Sequence, residues 1–109
     1  MQLTDHAILS ILNQLFELEK KISNQPIEKS LQRNLRRIRS EFENVGYKYH
    51  DPLGEKYNLT RLDCEAMASG TGADNLMIVE VIKPIIYYQQ NDRNEIVQKA
   101  VVIVENGES

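Results

Sequence analysis

Cys64 is the single cysteine of the chain, flanked by Asp63 and Glu65, with His50 and Asp51 a short distance upstream. These are the residue types from which a metal site or a nucleophilic centre is built. A tetrahedral zinc site needs a second cysteine or histidine at fixed short spacing, and that partner is missing. Cysteine catalysis needs a base, and His6 and His50 are the only histidines available. A third group that orients the base is not evident, so a nucleophile–base–orienter set is not assembled. The bland reading, scattered surface polar residues, is preferred, and no enzymatic activity, metal or other cofactor is expected.

Two further stretches invite a chemical reading. Ser69-Gly70-Thr71-Gly72 has the glycine content of a phosphate loop. It lacks the Gly-Lys-Ser/Thr ending, and an expected strand, not a helix N-terminus, follows it. A loop is the better reading. Arg33, Arg36, Arg37 and Arg39 form one basic cluster, diluted by Glu28, Glu41 and Glu43. A solvated helix face is expected there, with an acidic protein partner left open. The net charge of -3 argues against general nucleic-acid binding. The charge is unevenly spread, seven basic against six acidic residues over 1–46 and six against ten over 47–109. The second half is therefore the acidic one.

The elements that must position these residues are legible from periodicity. Residues 4–23 read as a helix, with Thr4 as N-cap and Asp5 in the first turn. Ile8, Ile11, Leu12, Leu15, Phe16, Leu18 and Ile22 follow the helical three-and-four spacing. Pro26 opens a second helix over 26–45, whose stripe is Leu31, Leu35, Ile38, Phe42 and Val45 and whose end is marked by Gly46. The stripe shifts phase at Pro26, which predicts a hairpin of two helices instead of one rod. Three apolar positions in seven is a bundle pattern. Residues 1–46 are therefore expected to be a helical hairpin that pairs with a second copy in a four-helix bundle. The dimer would be held by Ile8, Ile11, Leu15, Leu18, Leu35, Ile38 and Phe42. The alternative is that the hairpin packs on its own β-region.

Beyond Gly46 the texture is that of strands and turns. Residues 76–82 and 85–88 are short β-rich runs, with Pro84 expected at a strand end or bulge. A turn is predicted over 91–94, a final strand over 96–104, and a frayed polar tail over 105–109. The fold class is thus α+β, a helical hairpin followed by a small, mostly antiparallel β-domain over 47–109. The first residues lack the pattern of a signal peptide, and no apolar run is long enough for a membrane span. With one cysteine and no internal disulfide, a reducing cytoplasmic location without membrane contact is expected.

This order of parts resembles the GrpE family, nucleotide exchange factors of DnaK-type chaperones. Gly54-Glu55-Lys56-Tyr57-Asn58 is similar to the family's glycine-led entry to its β-domain. Glu65-Ala66 is similar to its His-Glu-Ala, with Cys64 in the histidine's place. Residues 78–83 and 99–104 resemble its later strands, and Asn91-Asp92-Arg93 the hairpin tip between them. The resemblance implies a homodimer whose β-domain binds the ATPase domain of a DnaK-type chaperone and favours its open, nucleotide-releasing state. By that resemblance Arg93, Val104 and Ile82 occupy the contact positions. A dimeric adaptor that keeps the fold and binds another partner is the alternative.

Overall fold

A computed structural model describes residues 5–23, 25–26, 29–67 and 75–106. Two helices, α1 (Asp5–Ile22) and α2 (Lys29–Asn44), precede seven strands. The strands are β1 (Tyr47–His50), β2 (Lys56–Tyr57), β3 (Cys64–Met67), β4 (Leu76–Lys83), β5 (Ile85–Gln90), β6 (Arg93–Gln98) and β7 (Ala100–Asn106). They form a three-stranded sheet in the order β1-β5-β6 and a four-stranded sheet in the order β2-β4-β7-β3. Among the described strands only the β3–β7 pair is parallel. The chain is thus α+β, with a mostly antiparallel β-region.

Both sheets grow from one long, bent ribbon. β4 and β5 are separated only by Pro84, and β6 and β7 only by Lys99. Proline cannot donate to a ladder, so the strand must break there, and each arm passes from one sheet into the other at this level. The ladder also slips between Ile86 and Tyr87 and twice along β4–β7. Such bulges add local twist. They also explain why the buried residues of β4 run Leu76, Ile78, Val81 and skip an expected alternate. The final strand expected over 96–104 is therefore two strands. The expected tail is shorter, because Glu105 and Asn106 pair with Met77 and Leu76.

Helix α1 lies on the bend. Phe16 enters the core formed by Ile78, Val81, Ile85, Ala100, Val102 and Val104. Leu12 and Leu15 join Leu35 of α2 and Ile86 of β5 in a second cluster. Two polar devices fix the helix in place. The Asn13 and Gln98 amides bond each other reciprocally at 3.0 and 2.8 Å, and Gln98 Nε2 also donates to the Pro84 carbonyl at 3.0 Å. Lys20 Nζ donates to the carbonyl of Val81, at the slipped part of the ladder, at 2.8 Å. Both groups tie the helix or the neighbouring strand to backbone carbonyls at the irregular part of the ribbon. Helix α2 ends where Val45 N–H and Gly46 N–H bond the carbonyls of Phe42 and Glu43. Gly46, at φ +101°, then turns the chain directly into β1. Among the described residues, no helix is long and apolar enough to cross a membrane.

A candidate partner-binding hairpin and a charged clamp

The tip of the ribbon is a two-residue turn. Asn91 and Asp92 take φ of 51° and 65°, the left-handed pair that matches the twist of a tight hairpin. Asparagine and aspartate are the non-glycine residues that tolerate this conformation best. The turn is therefore shorter than the 91–94 expected, and Arg93 and Asn94 already pair with Gln90 and Gln89. β6 is an edge strand, and Arg93, Asn94, Glu95, Ile96 and Val97 are all exposed. Ile96 and Val97 are 42% and 37% exposed, so the edge is partly apolar, and among the described residues no strand pairs with its outer side, the arrangement on which partner strands dock.

The three positions marked by the family resemblance fall in different surroundings. Arg93 is exposed at the tip. Ile82 is half-buried on β4, and Val104 is 1% exposed and packs within the core. The seven positions named for self-association also divide. Leu15 and Leu35 are buried within the chain, and Ile8 and Phe42 are half-buried against the same cluster. Ile11, Leu18 and Ile38 are 39%, 50% and 44% exposed. Leu31 and Val45, on the same stripe as Ile38, are exposed too.

The second assembly is ionic, and sequence reasoning missed its organiser, Arg61. Its Nε donates to Asp63 Oδ1 at 2.6 Å, its Nη2 to Glu55 Oε1 at 2.6 Å, and its Nη1 to the Lys56 carbonyl at 2.8 Å. The other Glu55 oxygen accepts from His50 Nε2. A carboxylate can only accept, so the His50 proton sits on Nε2 in this contact. His50 and Asp63, read as unrelated surface residues, are thus joined through Glu55 and Arg61. Short turns prepare the network: Asp51 Oδ1 accepts from Leu53 N–H, and Asn58 Oδ1 from Thr60 N–H. These aspartate and asparagine turns are the only local sequence signal of the arrangement.

The electrostatics of this cluster oppose catalysis. Burial pushes the Cys64 thiol up to about 11; the Arg61 charge works against this, while neighbouring Asp63 adds to it. A buried thiol of that kind is protonated at neutral pH and is a poor nucleophile. Burial works against ionisation of Glu55 and Asp63. Their hydrogen bonds to Arg61, and that of Glu55 to His50, outweigh it and hold both carboxyls below their usual range. Acids held ionised through the neutral range neither donate nor hold a proton near pH 7. The cluster instead clamps the segment between β1 and β3. Among the described residues no three His, Cys, Asp or Glu side chains are grouped to hold a metal. The Ser69–Gly72 stretch lies outside the described residues, as does Thr4. Comparison with protein-family models, curated proteins and solved structures finds no match to this chain.

Proposed function

We propose that this protein is a non-enzymatic, dimeric, cytoplasmic interaction protein of the GrpE type, which binds the ATPase domain of a DnaK-like chaperone through its β5–β6 hairpin. The observation that carries this reading is the hairpin itself. Five consecutive residues of an edge strand, 93–97, are exposed at the end of a ribbon anchored by α1. Exposed apolar residues on an otherwise charged edge are what a partner covers. Self-association is supported by Ile11 and Leu18 on α1, by Leu31 and Ile38 on α2, and by Val45 just past the end of α2. Each set recurs at seven-residue spacing and stays exposed after the chain has packed on itself. The test is release of labelled ADP from a DnaK-type chaperone. Faster release with the protein, abolished by Arg93→Glu, supports the reading; an unchanged rate at saturating protein refutes it.

The burial of Val104 favours a second reading. A side chain 1% exposed in the core offers nothing to a partner, so one of the three family contact positions serves packing here. A dimeric adaptor using the same hairpin on a different partner fits that observation. Binding to the chaperone without faster ADP release would select it.

A further inference from the structure

Between the N-terminal turns of α1 and the helix-facing side of the β1-β5-β6 sheet runs an open groove lined by Asp5, Leu9, Tyr47, Tyr88, Glu95 and Val97, with Gln90 at its end. Its floor is aromatic. The Tyr47 and Tyr88 rings sit 4.6 Å apart between centroids, tilted by 37°, where they face each other across the β1–β5 pair. The Tyr47 hydroxyl donates to Asp5 Oδ1 at 3.4 Å, which fixes the ring against the helix. Among the described residues, the lining holds two carboxylates, Asp5 and Glu95, and no basic residue. Asp5 partly offsets the positive end of the α1 dipole, which leaves Glu95 and the electron-rich ring faces as the groups of the lining that attract a cation, with Arg93 two residues before Glu95 on β6.

Aromatic faces bordered by carboxylates suit a planar or compact cation on an apolar stem. We propose that this groove holds a basic segment of a partner protein, with an arginine or lysine side chain laid over Tyr47 and Tyr88 and its charge directed to Glu95. The apolar stem of such a side chain would rest on Leu9 and Val97, and the cation over the rings. An acidic or neutral segment gains neither contact. The groove opens beside the exposed strand β6, so an extended segment running along that edge can drop alternate side chains into it. The placement requires only that β6 receives a partner, and not that the partner is a DnaK-type ATPase.

The test uses the full chain, isotope-labelled for amide NMR, and three short peptides that alternate serine with arginine, citrulline or glutamate. Citrulline keeps the shape of arginine and removes the charge. The arginine peptide should shift the amides of Leu9, Tyr47, Tyr88, Glu95 and Val97 as one cluster, with affinity in the millimolar range. Citrulline should bind about fivefold more weakly or worse, the scale of a lost cation–aromatic contact plus a lost charge pair. Glu95→Gln, an exposed substitution that leaves the spectrum folded, should weaken the arginine peptide about threefold, a rim-charge effect. Tyr88→Leu should abolish the shifts, and the Glu95 variant keeps the test decisive if Tyr88→Leu unfolds the chain. Absence of clustered shifts up to about 10 mM peptide, where a binding free energy weaker than about 3 kcal/mol is indicated, overturns the proposal. Equal binding of citrulline, or unchanged binding by Glu95→Gln, overturns it as well. None of these outcomes depends on ADP release, so the groove and the exchange reading fail separately.

Discussion

Replacing Arg61 with methionine should expose what the charged clamp contributes, and pH should identify the source. Methionine keeps most of the stem length and removes the guanidinium, which donates to Asp63, Glu55 and the Lys56 carbonyl. Hydrogen bonds involving a charged group contribute about 1.5–3 kcal/mol each when shielded. The side chains here are 18%, 24% and 37% exposed for Arg61, Asp63 and Glu55, so solvent screens part of that. A total loss of about 2–3 kcal/mol at pH 7 is expected, equivalent to about 10–20 °C in Tm for a domain of this size. Both carboxyls have folded pKa values depressed below their unfolded values of about 3.9 and 4.3. Stability from a depressed acid is fully present above the unfolded pKa and is lost as pH falls through the folded one. The wild-type advantage over Arg61→Met should therefore be constant from pH 7 to about pH 5 and shrink progressively below about pH 4. Urea denaturation of both proteins across pH 2.5–7 measures this difference directly. An advantage under about 0.5 kcal/mol at pH 7 would place the clamp among surface ion pairs of no consequence. An advantage that persists unchanged in acid would mean that Arg61 acts through packing, not charge.

Two other perturbations follow from geometry. At Gly46, φ is +101° and an added Cβ would lie 2.8 Å from the Gln89 carbonyl oxygen and 3.0 Å from the Tyr88 ring, whereas at Gly54 φ is +84° with open space around it. Gly54→Ala should cost about 1 kcal/mol of left-handed strain, and Gly46→Ala about 3 kcal/mol because the strain is joined by a backbone clash; equal losses in thermal melts would refute the contact. Leu18→Glu with Ile38→Glu should turn the proposed dimer into a folded monomer by light scattering, because both side chains are exposed within the chain. Leu15 is unsuitable for that experiment, since its burial inside the chain means that a charge there would unfold the monomer as well.

What the sequence revealed divides along physical lines. Both helices lie inside the spans expected from periodicity, because a three-and-four apolar stripe is a local signal that few other structures accept. β4, β5 and the break at Pro84 were legible from two short β-rich runs on either side of a proline. β1 and β3 were not. Tyr47–His50 and Cys64–Met67 are four residues each, with polar alternates, and each becomes a strand only because β5 or β7 offers it an edge. The break at Lys99 was also invisible, since its cause is the bend at Pro84 on the other arm of the ribbon. Arg61 was missed because three acceptors converge on it from 55, 56 and 63, a convergence set by turns and not by spacing. The turn at the ribbon tip was recognised, although it proved shorter, with Arg93 already in β6. The stripe of α1 read as a self-association surface also carries, on Leu12, Leu15 and Phe16, the seam between helix and sheets.

That double use of α1 bears on how the hairpin could work. β5–β6 extends from a bend whose carbonyl at Pro84 is held by Gln98, and Gln98 is held by Asn13. On the adjoining face, Leu12 and Leu15 pack with Ile86, and Leu9 and Tyr47 are packed against that cluster. The hairpin is therefore braced by the helix at its base and free at its tip. A partner gripping residues 93–97 would pull on a strand whose base is fixed, and binding would cost little ordering of the ribbon. The opposite side of α1, with Ile11 and Leu18, remains exposed. The proposed self-association there and the proposed partner binding at the hairpin would use different faces of the same helix-supported frame, so neither need displace the other. A variant that loosens the base, such as Asn13→Leu, removes one partner from a half-buried amide pair and should weaken partner binding without touching any contact residue.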